Sequence, residues 1–125
     1  MNRSEIIKNY LHSLELSDYE KLISLFTEDA IVYSPLYGEI LASKFYKDLF
    51  EDTSKSKITL LNILMGEDER VAAGHFRYDW TLANGTPTCF ECVDIFNLSS
   101  EGKIKELRII YDSAKTRSSF ERLNA

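Results

Sequence analysis

The spacing of the apolar residues changes once along the chain, and this change constrains the fold more than any other feature. In the first half, apolar residues recur three and four positions apart, which is the spacing of one helix face. The first such run is Ile6, Ile7, Tyr10, Leu11 and Leu14. From residue 58 onward, apolar and polar residues alternate, as they do along a half-buried strand. Helices followed by consecutive strands predict an α+β fold, in which helices cover one face of an antiparallel sheet.

The first half divides into three predicted helices. Ser17 and Glu20 have the spacing of a capping box, so we expect the second helix to begin there. A short extended segment over residues 30–34 ends at Pro35, because the residue before proline is disfavoured in a helix. The third helix carries its apolar face on Phe45, Tyr46, Leu49 and Phe50.

The second half is predicted to form four strands after a polar loop over residues 53–57. The strands cover residues 58–65, 71–82, 88–98 and 103–111. Asn84-Gly85 lies between the middle two strands, and this dipeptide is typical of a two-residue hairpin turn.

The length of this turn decides which side chains share a face of the sheet. With a two-residue turn, His75 lies opposite Asp94, and Arg77 opposite Cys92. Asp79 then joins the same polar surface, and the other face holds Phe76, Tyr78, Trp80, Val93 and Ile95. A three-residue loop would shift the register by one and separate this cluster. Alternation alone favours the other interpretation, in which the three polar residues form a solvated face and Phe76, Tyr78 and Trp80 belong to the core.

One acidic residue stands out on the third of these strands. The alternate positions 90, 92, 94, 96 and 98 are apolar except for Asp94. A carboxyl group on an apolar face is desolvated, which raises its pKa and favours the neutral acid. A neutral acid can donate a hydrogen bond to a substrate oxygen. Alternatively, Asp94 pairs with a cation or caps a loop.

Length and charge exclude several classes of protein. The 125 residues suffice for one domain, which we take as residues 1–125. Fifteen basic and twenty acidic residues give a net charge of −5, which disfavours binding to nucleic acid or to an anionic membrane. No apolar run is long enough to span a bilayer, and no signal peptide is evident, so we expect a cytoplasmic protein.

The two cysteines form a Cys-x-x-Cys motif at positions 89 and 92. Residues three apart on a strand point to opposite faces, so these sulfurs can neither form a disulfide nor share a metal ion. We expect buried thiols, with no metal and no cofactor.

Several motifs together resemble a known family over about residues 6–117. The pattern is similar to the cone-shaped domain of the nuclear-transport-factor-like superfamily, in its ketosteroid isomerase and SnoaL-like branch. The motifs are Asn-Tyr-Leu at 9–11, Leu-Phe-Thr-Glu-Asp-Ala-Ile-Val at 25–32, Ser-Pro at 34–35, Lys-Phe-Tyr at 44–46, Val-Asp-Ile-Phe at 93–96 and Gly-Lys-Ile at 102–104, which leads to Tyr111.

The resemblance implies roles for particular residues. Tyr10 and Asp94 match the two oxyanion-hole donors of the isomerases, and Tyr46 matches a tyrosine that hydrogen-bonds the first of them. The position of the isomerase base is Ser34, however, and an unassisted serine cannot accept a proton from carbon at neutral pH. We therefore do not expect steroid isomerisation by that route.

A second branch is similar at one motif. Arg77-Tyr78-Asp79 resembles the Arg-x-Asp of limonene-epoxide-hydrolase-type enzymes. Their second aspartate would fall at Ile109, and Asp94 or Asp112 could take its place only if the geometry permits.

The resemblance also implies a pocket between three helices and a curved sheet. We expect it to be lined by Tyr10, Phe26, Ser34, Tyr46, Phe90, Cys92, Asp94, Leu107, Ile109 and Tyr111. The predicted outer face of the sheet, with Phe76, Tyr78, Trp80, Val93 and Ile95, would be a large apolar area for a monomer to expose. We therefore also expect a homodimer.

Two functions follow as hypotheses. The first is an enzyme without cofactor that performs isomerase-, cyclase- or hydrolase-like acid–base chemistry on an oxygenated apolar ligand. Tyr10 and Asp94 would bind the ligand oxygen, Asp79 would act as base, Arg77 would orient it and His75 could relay the proton. The alternative is a ligand-binding or dimerisation module without chemistry. If Asp79 and Arg77 point to solvent or into a dimer contact, the pocket has no base in this scheme, the isomerase- and hydrolase-like interpretations both fail, and a binding module remains.

Overall fold

The computed structural model describes residues 1–123 and places helices on one side of a six-stranded sheet. The helices are α1 (Arg3–Glu15), α2 (Tyr19–Ile23), α3 (Ala42–Glu51) and α4 (Ala114–Leu123). The strands are β1 (Phe26–Ser34), β2 (Gly38–Leu41), β3 (Thr53–Met65), β4 (Val71–Leu82), β5 (Pro87–Leu98) and β6 (Ile104–Ile110). The α+β class and the three helices before the long strands are confirmed. Within the described part of the chain, every helix is too short or too polar to cross a bilayer.

The sheet is curved and open, with the strand order β2-β1-β6-β5-β4-β3. Neighbouring strands are antiparallel except β1 and β6, which run parallel. The prediction of a purely antiparallel sheet is therefore wrong at this one pair. β1 and β6 are far apart in sequence, so no turn between them indicates their relative direction.

Three local predictions also need correction. Asp18, not Ser17, caps α2, and its carboxylate accepts a hydrogen bond from the Lys21 amide at 3.2 Å. Residues 53–57 belong to β3 because they pair with β4, for example Lys57 with Asp79. Helix α4 is absent from the sequence prediction, since Phe120 and Leu123 are its only large apolar residues.

The β4–β5 hairpin has a three-residue loop. The Leu82 amide donates to the Thr86 carbonyl at 2.9 Å, and the Gly85 amide donates to the Leu82 carbonyl at 2.8 Å. Gly85 has a φ of 88°, a conformation that glycine adopts without steric cost. The predicted two-residue register is thus wrong by one, and Gly74, rather than His75, lies opposite Asp94.

This shift exchanges the two faces of β4. We call the face of the sheet that packs against α1 and α3 the inner face, and the opposite one the outer face. The inner face carries Phe76, Tyr78 and Trp80 from β4, beside Cys92, Asp94 and Phe96 from β5. The outer face carries His75, Arg77, Asp79, Val93 and Ile95.

Tyr10 is the centre of the aromatic core. Its ring lies in edge-to-face contact with Phe26, Tyr46 and Phe96, at centroid distances of 6.1, 6.0 and 5.1 Å. Helix α1 approaches the sheet closely because Gly74 has no side chain. A Cβ at that position would stand 3.1 Å from Cγ2 of Ile7. This packing fixes the Tyr10 hydroxyl near the middle of the inner face.

Candidate functional site

A cavity of about 40 Å³ lies between the inner face, helices α1 and α3, and the turn after β1. Seven predicted residues line it, namely Tyr10, Ser34, Phe90, Cys92, Asp94, Ile109 and Tyr111. Eight further residues complete the lining: Leu14, Leu36, Tyr37, Phe45, Leu49, Phe76, Tyr78 and Trp80. The wall is thus mostly aromatic and aliphatic, and Asp94 is the one carboxyl group among these lining residues.

Asp94 is buried, with 2% of its surface exposed. Alternation along β5 places Cys92 on the same face, and the Cys92 thiol donates a hydrogen bond to Oδ1 of Asp94 at 3.0 Å. Burial raises the pKa of Asp94 to about 7, and the hydrogen bond from Cys92 opposes this shift because it stabilises the carboxylate. Near neutral pH, the group can therefore either accept or donate a proton.

Tyr10 and Tyr46 form a buried pair whose Oη atoms are 2.6 Å apart. Either hydroxyl can be the donor. Burial raises the pKa of both phenols well above its usual range, and the nearby Asp94 carboxylate raises both further. Both side chains are consequently neutral hydrogen-bonding groups. Tyr10 reaches the cavity, whereas Tyr46 lies behind it.

Ser34 lines the cavity, but its hydroxyl group forms hydrogen bonds with the main chain. Its Oγ accepts hydrogen bonds from the amides of Leu36 and Tyr37, both at 3.2 Å, and so caps the turn after β1. The residue at the position of the isomerase base therefore stabilises a turn.

The polar atoms of three other aromatic side chains form hydrogen bonds within the protein. Tyr37 donates to Oδ2 of Asp52 at 2.6 Å, and Trp80 donates to Oγ1 of Thr53 at 2.8 Å. The Tyr78 hydroxyl lies 3.1 Å from Oγ of Ser56. The rings of Phe90 and Tyr111 stack with centroids 4.1 Å apart. These rings therefore present apolar surface to a ligand.

Three residues predicted to line the pocket lie deeper in the core. Phe26, Tyr46 and Leu107 are at most 6% exposed and do not reach the cavity. Three of the missed residues, Phe76, Tyr78 and Trp80, would have followed from a three-residue hairpin loop. Leu14 and Leu49 lie one helical turn after Tyr10 and Phe45, so helical spacing could have indicated them.

His75, Arg77 and Asp79 do not join the cavity, because the corrected register places them on the outer face. Nε2 of His75 lies 2.9 Å from Glu91, and the Arg77 guanidinium donates two hydrogen bonds to Asp79, both at 3.2 Å. This ion pair lowers the pKa of Asp79. The geometry on which their predicted catalytic roles depended is wrong.

The two cysteines lie on opposite faces, as predicted. Cys92 is buried on the inner face, but Cys89 is exposed on the outer face, so the prediction of two buried thiols is wrong for Cys89. Among residues 1–123, no three His, Cys, Asp or Glu side chains are grouped so that they could hold a metal ion.

Solved structures share this fold. The epoxide hydrolase/cyclase-like enzyme SalBIII, which is described in pyran ring formation in the polyether salinomycin, has a TM-score of 0.75 at 24% sequence identity. The match covers 88% of this chain and 90% of that one. A proposed polyketide cyclase from Pseudomonas putida KT2440 has a TM-score of 0.80 at 16% identity and covers 94% and 97% of the two chains.

A third neighbour is an NTF2-like protein of unknown function from Exiguobacterium sp. 255-15. It has a TM-score of 0.75 at 19% identity, and the match covers 87% of this chain and 99% of that one. At such identities the similarity concerns the fold. No curated protein matches the sequence significantly.

The family model described as a SnoaL-like domain matches residues 7–107. This range includes every element from α2 to β5. It also includes Tyr10 and Asp94, the two cavity-lining residues that match the oxyanion-hole donors of the isomerases. Because the match spans most of the sequence and the neighbours have the NTF2-like fold, the chain belongs to the family of SnoaL-like domains.

Proposed function

We propose that the protein is an enzyme that transfers a proton within a small, oxygenated, mostly apolar ligand, and that Asp94 is its acid–base group. The observation that carries this proposal is the position of Asp94, which is the one carboxyl among the residues lining an apolar cavity and has a pKa of about 7. An acid–base catalyst is most effective when its pKa lies near the working pH. The reaction needs neither a metal nor an organic cofactor.

The proposed step uses one carboxyl group twice. The Asp94 carboxylate takes a proton from a carbon next to a carbonyl group, and the electron pair moves onto the carbonyl oxygen. The Tyr10 hydroxyl donates a hydrogen bond to this oxygen, supported by the hydroxyl of Tyr46 at 2.6 Å. The protonated Asp94 then returns the proton to another atom of the ligand, so the enzyme is unchanged at the end.

Epoxide opening is less well supported than this carbonyl chemistry. It requires a base for water and an acid for the epoxide oxygen at the same time. The cavity lining contains a single carboxyl group, and the Arg77–Asp79 pair lies on the other face of the sheet. An isomerase- or cyclase-like reaction through an enolate therefore fits this cavity better.

The cavity volume limits the ligand. About 40 Å³ accommodates a few water molecules, whereas sites for drug-sized molecules have roughly 300 Å³ or more. We therefore expect a ligand with no more than one ring, or an outward movement of the aromatic wall when a larger ligand binds.

The second candidate function is ligand binding without chemistry. It is favoured by the loss of the predicted base, because Asp79 is on the outer face and the Ser34 hydroxyl caps a turn. In that case, Asp94 and Tyr10 would hold a polar group of the ligand, and no proton would be transferred.

Hydrogen exchange at small ketones distinguishes the two functions without knowledge of the substrate. Cyclopentanone or cyclohexanone is incubated with the protein in D2O, and the loss of the α-hydrogen signals is followed by proton NMR. We expect exchange above the buffer rate, rising with pH through about 7 as Asp94 ionises. The variant Asp94→Asn should lose this activity.

The matched control is Asp79→Asn, which removes a carboxylate from the outer face and should keep the exchange rate. If the ketones shift the amide resonances of cavity residues but exchange no faster than in buffer, the enzyme proposal fails and the binding module is retained.

Self-association also remains a proposal, and we retain the homodimer. The aromatic part of the expected apolar outer face is absent, because Phe76, Tyr78 and Trp80 point inward. Val93 and Ile95 remain on that face partly buried, and Ile110 remains there with 48% exposure. A single domain and a cytoplasmic location stay predictions.

A further inference from the structure

Strand β3 forms one edge of the sheet and has an unusually apolar free side. Residues 58–65 carry no charge. Four of the strand's apolar residues are exposed, with exposed fractions of 36% for Leu60, 44% for Leu61, 54% for Leu64 and 51% for Met65. Edge strands of soluble proteins are usually short, charged or covered, because an open edge can pair with another chain. An edge of this composition indicates a strand that is covered by a partner.

One hydrogen bond shows which main-chain amide and carbonyl groups of β3 point away from β4 and could pair with another strand. The Ile58 amide donates to Oε1 of Glu15 at 2.8 Å, so it points away from β4. In an antiparallel ladder, outward and inward residues alternate, and the register shifts between Leu60 and Asn62. Alternation therefore directs the main-chain groups of Leu60, Ile63 and Met65 away from the sheet. Consistently, Gly66, the next residue, bonds inward to Val71.

We propose that β3 pairs in antiparallel fashion with β3 of a second copy of this chain, about a two-fold axis between Leu61 and Asn62. In this register, Leu60 lies opposite Ile63 of the second copy, and Ile63 lies opposite its Leu60. The outward main-chain groups of both strands then face each other and can exchange hydrogen bonds. The Ile58 amide already donates to Glu15, so the hydrogen bonds between the two β3 strands begin at Leu60. This proposal assigns a surface to the homodimer proposed above and rests on it.

Charge complementarity supports a second copy as the partner. Lys55 and Lys57 precede the apolar segment, and Glu67, Asp68 and Glu69 follow it. In the proposed register, Lys55 and Lys57 of one copy lie beside the acidic turn that follows β3 of the second copy and carries Glu67 and Glu69. The two-fold axis repeats these contacts at the other end of the ladder. A parallel arrangement would instead place lysine beside lysine, so the charges select the antiparallel pairing.

The first test replaces the residue beside the axis. Sedimentation velocity of the full chain over a range of concentrations measures the dimer dissociation constant. Leu61→Lys places two like charges next to each other across the axis, and we expect it to raise the dissociation constant by about tenfold or more. Leu61 is exposed in the monomer, so the fold should persist, which circular dichroism verifies. Leu41→Lys, at a similarly exposed leucine on the opposite edge strand, is the matched control and should have no effect.

A charge exchange provides a second, independent test. The double variant Lys55→Glu and Lys57→Glu should weaken the dimer at low salt, and the addition of Glu67→Lys and Glu69→Lys should restore it. A dimer that tolerates Leu61→Lys but dissociates with Ile110→Lys on the outer face overturns the edge pairing and keeps the homodimer. A monomer at all concentrations overturns both. Ketone exchange by the monomeric variant shows separately whether the proposed enzyme function stands.

Discussion

At the scale of single residues, the chemistry of the cavity depends on Asp94. Its carboxyl group lies among aromatic and aliphatic side chains, and the thiol of Cys92 donates a hydrogen bond to it. Desolvation favours the neutral acid, whereas the thiol favours the carboxylate. The balance of these two effects leaves Asp94 able to change its charge near neutral pH. Each effect can be tested by a measurement of its own.

The first prediction concerns the pH dependence of stability. Folding raises the pKa of Asp94 from 3.8 to about 7, so between these values the folded protein holds a proton that the unfolded chain has released. The free energy of unfolding should therefore fall as the pH rises from about 4 to about 7, by an amount on the order of 4 kcal/mol, and then level off. Asp94→Asn should remove this slope in urea unfolding experiments at pH 5, 6, 7 and 8.

The control for this prediction is Asp79→Asn. Asp79 has a lowered pKa, so its contribution is already complete above pH 5, and the variant should keep the slope of the wild type. Coincident slopes for the wild type and Asp94→Asn would mean that another group titrates in this range.

The second prediction concerns the thiol beside Asp94. Cys92→Ala removes the donor to the carboxylate, so the pKa of Asp94 should rise above that of the wild type. Cys92→Ser retains a donor at nearly the same position and should give a pKa closer to the wild-type value. Carbon-13 NMR titration of the Asp94 carboxyl measures both. Equal pKa values in the alanine and serine variants would show that the thiol does not stabilise the carboxylate.

At the scale of secondary structure elements, the loop between β4 and β5 decides which side chains enter the cavity. It contains three residues, and the last of them, Gly85, has a φ of 88°. One residue more than a two-residue turn inverts the faces of β4 relative to β5. The inward position of Phe76, Tyr78 and Trp80 thus depends on a short exposed loop.

The third prediction is that Gly85→Ala destabilises the protein by about 1–2 kcal/mol. A Cβ at this position would meet no neighbouring atom, so the cost comes from the positive φ alone. Gly85→Asn should cost less, because asparagine adopts this conformation more readily. Thermal unfolding of the two variants measures the difference, and a larger loss for asparagine than for alanine would contradict the explanation.

Local patterns predict the elements of this fold better than the contacts between them. Alternation predicts β4 over the observed range, and it places Asp94 on the apolar face of β5 whatever the hairpin register. The register itself is ambiguous, because Asn-Gly fits both a two-residue turn and the last two positions of a three-residue loop. The parallel pairing of β1 with β6 is non-local and leaves no signal in either strand.

The same distinction holds for the site. The family resemblance indicates that Tyr10 and Asp94 share a pocket, and both residues line the cavity. It cannot indicate that Tyr37, which follows the turn capped by Ser34, also reaches the cavity, since that position depends on the turn and on a hydrogen bond to Asp52.

At the scale of the whole molecule, the cavity is supported by an element outside the family match. Helix α4 follows residue 107, the last residue of the match. Its Phe120 ring contacts Tyr37 at a centroid distance of 4.9 Å and Trp80 at 6.4 Å, and both of these residues line the cavity. The Arg117 guanidinium donates to the carbonyl of Pro35 in the turn after β1. The helix therefore holds one wall of the cavity in place.

The last prediction tests whether this helix limits access to the cavity. Phe120→Ala removes a half-buried ring behind Tyr37 and Trp80, so we expect the free energy of unfolding to fall by about 1–3 kcal/mol, less than for a fully buried phenylalanine. Loosening this wall should also let an apolar fluorescent dye bind more strongly, because a cavity of about 40 Å³ is too small for it. The control is Arg122→Ala, at an exposed position of the same helix, which should change neither quantity. A loss of stability without any gain in dye binding would mean that α4 stabilises the fold but does not restrict the cavity, and that a ligand must enter by displacing another part of the wall.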